Sequence, residues 1–324
     1  MRAQRPIVAL TIFLGWITAA TAEDFPSRPI TMVVPFSAGG PTDTLARSLA
    51  DRMQATLGQP VIVENVTGAA GNIGVARVVH AAPNGYTVSI GNWTSHVVNG
   101  AVYELSYDLL KDLTPIALLP NNLQLLVSKS AVPAKDLKEL IAWVKLNQAT
   151  ISAGTGGAGT AAHIGGVYFQ KITGTSFQFV PYRGSGPAVQ DLVAGHIDFM
   201  FDQASEALPH VRGGLIKAYA VTAKARLASA PNIPTVDEAG LPGFYVSVWN
   251  GLWVPKGTPK EIIAKLNAAA VEAMADPGLR KRFADLGLEV PAREQQTPES
   301  FAAYQKAEIE KWWPIIRAAN IRAE

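Results

Sequence analysis

The chain has no cysteine among its 324 residues. That absence excludes disulfides, thiolate zinc sites, cysteine nucleophiles and a lipid-modified N-terminal cysteine. Charge is also scarce: Asp, Glu, Lys and Arg make up 17% of the chain and nearly cancel, leaving a formal net charge of +2. Such a balance does not suit a nucleic-acid binder that works by neutralising phosphates. The motifs G-x-S-x-G, H-E-x-x-H and G-x-x-x-x-G-K-[ST] are all missing, which removes the commonest signatures of serine hydrolysis, zinc proteolysis and nucleotide binding. The five histidines, at 80, 96, 163, 196 and 210, lack metal-ligand spacing. No catalytic residue, metal or cofactor is therefore expected. After residue 22, no apolar run is long enough to span a bilayer. What the chain does have is 48% hydrophobic residues, 28 glycines and 22 prolines, enough apolar material for one large or two ordinary cores.

Residues 1–22, MRAQRPIVALTIFLGWITAATA, carry Arg2 and Arg5, an apolar middle from Ile7 to Ile17, and Ala20-Thr21-Ala22. This is the pattern of a Sec-type secretory signal peptide with cleavage after Ala22. The apolar run is too short for a membrane anchor, so no membrane insertion is expected once the segment is removed. Its loss takes away two arginines and no acid, leaving a mature chain of zero formal charge. An exported chain without disulfides fits a bacterial periplasm.

From Ile30 onward, strand-like runs alternate with helical patterns. The strands are Ile30–Phe36, Val61–Val66, Tyr86–Gly91, Leu123–Ser128, Ile151–Ala153, Phe177–Tyr182, Ile197–Asp202 and Lys217–Thr222. Repetition of strand then helix predicts an α/β fold with mostly parallel sheets. After a Pro- and Gly-rich stretch, 230–243, comes one long apolar run, Phe244–Pro255. Three helices follow, opened by Pro259, Pro277 and Pro298, where proline is tolerated. The order fits two lobes, with 23–122 and 224–324 in the first and 123–223 in the second. The ligand cleft lies between them.

In open α/β sheets, ligands sit beyond the carboxyl ends of the strands, where helix N-termini point. Three such junctions stand out. The first is Phe36-Ser37-Ala38-Gly39-Gly40-Pro41-Thr42-Asp43, where glycines admit a close ligand and Pro41 opens a helix. By itself it reads equally as a tight turn. The second is Gly154-Thr155-Gly156-Gly157-Ala158-Gly159-Thr160 leading to His163, which has G-x-G-x-x-G spacing. Dinucleotide binding competes there with an anion loop, but the next strand offers no acid for a ribose. The third is Tyr182-Arg183-Gly184-Ser185-Gly186-Pro187, where Arg183 could meet a carboxylate and Ser185 could cap a helix. Trp93, Thr94 and His96 follow another strand, and Asp202 ends one, placed to accept a ligand amine or hydroxyl. Gly68–Gly74 reads as a structural turn.

The segments PSRPI (26–30), VVPFSAGGPTD (33–43), GQPVIVEN (58–65), GAAGNIG (68–74), AAPNGYT (81–87), VPYRGSGPA (180–188), MFD (200–202), LPHVRGG (208–214), IPTVDEAGLPG (233–243) and VPKGTP (254–259) resemble the Bug (TctC-like) substrate-binding proteins of tripartite tricarboxylate transporters. The resemblance spans essentially the whole mature chain. It implies a two-lobe periplasmic binding protein of type II-like fold that hands a carboxylated solute to two integral-membrane subunits. It also implies that loops 36–43 and 154–163 hold the ligand carboxylate through backbone amides and bridging waters. Two departures are notable. Pro41 stands where glycine is frequent, removing one N–H donor, and Trp93 stands where smaller residues are common. Two other functions stay open: an exported solute sensor presenting its ligand to a membrane receptor, and an exported serine hydrolase using Ser37 or Ser185.

Overall fold

The computed structural model describes residues 24–182 and 184–322; the expected signal segment 1–22 and Arg183 lie outside the described residues. The strands are β1 (Ile30–Val34), β2 (Val61–Asn65), β3 (Thr87–Asn92), β4 (Leu113–Lys129), β5 (Ser152–Thr155), β6 (Gln178–Pro181), β7 (Phe199–Gln203), β8 (Ile216–Val221), β9 (Ser247–Pro255) and β10 (Leu288–Glu289). The helices are α1 (Pro41–Leu57), α2 (Asn72–Val79), α3 (Asn99–Val102), α4 (Leu137–Leu146), α5 (Ala161–Thr173), α6 (Ser185–Ala194), α7 (Ala204–Arg212), α8 (Lys260–Ala275), α9 (Pro277–Asp285) and α10 (Pro298–Ala318).

One continuous path, β2-β1-β3-β9-β4-β7-β5-β6, runs through the molecule, with β8 and β10 also paired to β4. The expectation of mostly parallel sheets needs correction. Pairs β1–β2, β1–β3, β5–β6 and β5–β7 are parallel, but every pairing of β4 and β9 is antiparallel. The cause is β4, whose 17 residues serve two groups of strands. Leu113–Leu123 pair with β9, while Gln124–Ser128 pair with β7. The switch of partners falls between Leu123 and Gln124. The chain leaves the second group after Val221 and rejoins the first at Ser247.

Local chemistry accounts for the elements that frame the cleft. Gly40 is the extended residue before α1, and Pro41 opens the helix, where its missing N–H costs nothing. Gly74, in the first turn of α2, lies so close to its surroundings that a Cβ there would meet the Val66 carbonyl oxygen at 2.6 Å and Pro35 at 2.9 Å. Gly74 thus lets the 68–74 turn pack closely against Val66 and Pro35. In α5, Thr160 is the N-cap, its hydroxyl accepting from the His163 N–H at 3.4 Å. In α6 the expected cap is corrected. Gly184 occupies that position and Ser185 is the first helical residue, so the Ser185 hydroxyl is free to bond elsewhere. α10 continues through Pro314 to Ala318. Its buried face is Phe301, Gln305, Ile309, Trp312 and Ile316, while Trp313 is half-buried and donates to the Val97 carbonyl at 2.8 Å.

Candidate functional site

At the end of β1, Phe36 is half-buried, Ser37, Ala38 and Gly39 are exposed, and Gly40 and Pro41 are partly exposed. The loop is shaped from below by Asp43, which is buried in the first turn of α1. Its carboxylate accepts from the Gly39 N–H at 2.8 Å, Asn65 Nδ2 at 2.9 Å and Arg47 Nε at 3.0 Å. Asn65 also donates to the Phe36 carbonyl at 3.0 Å. Burial alone would raise the Asp43 pKa, but the hydrogen bonds from Arg47, Gly39 and Asn65 outweigh it and hold the carboxyl below its usual value. Asp43 therefore turns inward to brace the loop. Thr42 is buried beside it, its hydroxyl accepting from Asn92 Nδ2 at 3.3 Å.

Asn92 ends β3 and caps the turn beyond it, its Oδ1 accepting from the N–H groups of Thr94 at 3.0 Å and Ser95 at 3.3 Å. That turn is π-helical and spans Thr94–Val98. Trp93 and His96 were expected to reach a ligand because they come after a strand end. The turn encloses them instead, and both are 0% exposed. Trp93 packs edge-on to Trp312 at 5.0 Å, and its indole N–H has no partner. The His96 ring stacks on Trp253 at 3.6 Å, with Nδ1 2.9 Å from the Ser95 hydroxyl and Nε2 unpartnered. Burial pushes its pKa down to about 3, so the ring is neutral. Thr94 is buried as well.

The loop after β5 is the second glycine turn. The buried Thr155 accepts from the Gly157 N–H at 3.3 Å, and Thr160 donates to the Gly157 carbonyl at 2.8 Å. Gly157 and Gly159 have φ of +111° and +76°, which favour glycine. His163, half-buried in α5, accepts from the Gly159 N–H at 3.2 Å and meets the Phe179 ring edge-on. Burial lowers its pKa. Asp202, at the end of β7, is 1% exposed and its Oδ2 has no hydrogen-bond partner. Burial first, then the neighbouring Glu206, push its carboxyl well above the usual range, against a Gln203 N–H that lowers it.

These pieces close into a ring. A Cβ on Gly159 would lie 3.5 Å from Val102 of α3, and one on Gly156 would lie 3.3 Å from Gly184. Ser185 donates to Glu206 in the first turn of α7, and Glu206 and Ser205 line a depression together with Gly39, Pro41 and Thr44. Sequence reasoning missed Glu206. The signal lay four residues beyond Asp202, at the start of the next helix. Among the described residues no group of acids and histidines is arranged to hold a metal ion. No helix there is long and apolar enough to cross a membrane.

Comparison with known proteins points the same way. The model of the TctC family, described as tripartite tricarboxylate transporter family receptor, matches residues 45–321. The chain is 37% identical over 97% of its length to the UPF0065 protein of the TAR-I ttuE–ttuC′ intergenic region of Agrobacterium vitis, covering 90% of that protein. Its structure superposes on that of the periplasmic binding protein BugD with a TM-score of 0.84 and 36% identity, covering 92% of this chain and 100% of the other. It also superposes on MatC of Rhodopseudomonas palustris with bound malate, with a TM-score of 0.83 and 41% identity, covering 90% of this chain and 100% of the other. The family is one of solute receptors rather than enzymes, and the chain belongs to it, the TctC family of tripartite tricarboxylate transporter receptors.

Proposed function

We propose that this chain is a periplasmic receptor that captures a small carboxylate between loops 36–43 and 154–163 and delivers it to the integral-membrane subunits of a tripartite transporter. The observation that carries this is the pair of glycine-bearing helix starts. In the first, the acid next to the loop is consumed by internal hydrogen bonds, leaving the turn above it open. In the second, two glycines at positive φ release the backbone for close approach. Each helix N-terminus favours an anion. The malate bound to MatC, at 41% identity, makes a carboxylate the natural occupant. Arg183, two residues before Ser185 in the sequence, is a further candidate for pairing with it.

In this reading residues 23–122 and 224–324 form one lobe and 123–223 the other, supported by the change of β4 partners at Leu123/Gln124. Export by the 1–22 signal, with cleavage after Ala22, belongs to the same proposal. Closure follows from differential affinity, since a ligand held by both loops binds the closed form better than the open one. The test is thermal unfolding of the chain from Glu23 onward against mono-, di-, tricarboxylates and aromatic acids, repeated after unfolding and refolding to strip carried ligand. A ligand at about 100 times its Kd stabilises the native state by about 2.7 kcal/mol, or roughly 5–11 °C for a chain this long. No shift with any acid after refolding overturns the reading.

A further inference from the structure

We propose that Glu206, with Asp202 beside it, is the specificity-determining residue of this cleft, and that it selects a carboxylate ligand that also carries an ammonium group. This deepens the carboxylate-receptor reading above and rests on it.

The starting point is position. Glu206 lines the same depression as Gly39 and Pro41 of the first loop. Its hydrogen-bond partner, Ser185, opens α6, directly beside Gly156 of the second loop. The side chain is partly exposed and so open to a ligand lying between the two loops. A protein carboxylate thus stands at the edge of the candidate cleft, where a depression running along α1 toward Phe283 and Leu288 meets a third helix start that has no side-chain cap of its own.

Two consequences arise for a ligand. The N-terminus of α6 already faces a carboxylate, so it does not offer a further seat for an anion. Any group placed near Glu206 must also tolerate its negative charge. Asp202 stands beside Glu206. Its Oδ2 is enclosed, with the residue 1% exposed, and makes no hydrogen bond. Its closeness to Glu206 disfavours negative charge on the pair, which a cationic group placed at Glu206 relieves.

Three groups can be compared at this place. A second carboxylate brings no donor and adds like charge next to Glu206. A hydroxyl brings one donor and no charge. An ammonium brings three donors and a positive charge, and can pair with Glu206 directly while relieving the crowding of its charge against Asp202. The ligand so described has its carboxylate on the glycine loops and its amine toward α7.

The test uses matched pairs that differ only in this group: L-aspartate against L-malate, 4-aminobutyrate against 4-hydroxybutyrate, and L-phenylalanine against L-3-phenyllactate, with succinate as the distal dicarboxylate. Calorimetric Kd values are measured on refolded wild type, Glu206→Gln and Asp202→Asn, each checked by melting curve. The expected result is an amine that binds at least about tenfold tighter than its hydroxyl partner, the scale of one charge-assisted contact. In Glu206→Gln that ratio should fall toward one. Binding of malate, succinate or another non-amine acid as tight as its amine partner overturns this proposal and leaves the carboxylate reading standing. So does an amine preference that Glu206→Gln leaves intact. If Glu206→Gln tightens every acid alike, Glu206 is a tethered anion in the ligand's own seat and the selectivity assignment falls. Binding of no carboxylate at all overturns both readings. If Asp202→Asn fails to fold, the Glu206→Gln ratio alone decides.

Discussion

Replacing Asp43 with alanine isolates the brace under the first glycine loop. The carboxylate receives three hydrogen bonds, from the Gly39 amide at 2.8 Å, Asn65 at 2.9 Å and Arg47 at 3.0 Å. They do not contribute equally. The Arg47 side chain is 54% exposed, so its ion pair is screened by solvent and contributes little. The other two are charge-assisted bonds to a buried acceptor, for which about 1–2 kcal/mol each is reasonable. Asp43→Ala should therefore destabilise the fold by roughly 2–4 kcal/mol. Differential scanning calorimetry of the unliganded chain should show Tm falling by roughly 4–16 °C. Asp43→Asn keeps an acceptor but loses the charge, and should fall between wild type and Asp43→Ala. A second readout comes from position: with Gly39 released, the affinity of whichever acid shifts the wild type should drop in both variants. A Tm change under about 2 °C in Asp43→Ala, where at least twice that is due, refutes the energetic argument. An unchanged Kd with the expected Tm loss refutes the link between brace and loop. The acid limb gives a third check. Because the folded pKa is depressed, this stabilisation is present above the unfolded value near 3.8 and is lost as pH falls through the folded value. The wild-type advantage over Asp43→Ala should shrink only at strongly acid pH.

Gly157→Val places a β-branched side chain at a φ of +111°. It should abolish carboxylate binding in calorimetry while leaving the far-UV spectrum native; retained affinity would remove that loop from the site. His96 makes the opposite kind of prediction. Its folded pKa of about 3 lies below the unfolded value near 6.5, so the unfolded chain takes up a proton that the folded one refuses. From this ring alone, stability should fall by about 1.4 kcal/mol per pH unit between about pH 6 and 4. His96→Phe should flatten urea-melt stability across that window, and an unaltered pH slope would contradict the enclosed, neutral ring.

Most helices and the parallel strands were legible because each has its own local pattern: a proline or Thr at the start, an apolar run in the strand. The first half of β4 was not. Leu113–Asn122 carries Pro115 and Pro120, which read as breaks. In the fold each sits where the β4–β9 register shifts, the irregularity that lets proline lie in a strand. The antiparallel character of β9 was hidden for a related reason, since a strand buried on both faces shows no alternation to orient it. In the candidate site, glycine spacing and helix starts located both loops. Side-chain direction was not legible. Asp43 looks like a ligand group until Gly39, Asn65 and Arg47 are found around it. Trp93 and His96 look exposed until the π-helical turn carries them under α10. Glu206 meets Ser185 only because α6 and α7 start side by side, a tertiary fact without local signature.

The double service of β4 also bears on how the chain acquires its fold as it emerges from N- to C-terminus. Leu113 finds its partner at Pro255, and Leu123 finds its partner at Ser247. Until that later segment is available, half of β4 has an open edge, and β3 lacks its neighbour on the same side. Such late, distant pairing raises contact order, slows folding and leaves strand edges open to wrong partners. Under the export proposed above, in which the chain crosses a membrane before folding, that slowness is an advantage. The strand that unites the two halves is also the one that keeps the emerging polypeptide unfinished, and threadable, until about three quarters of it has appeared.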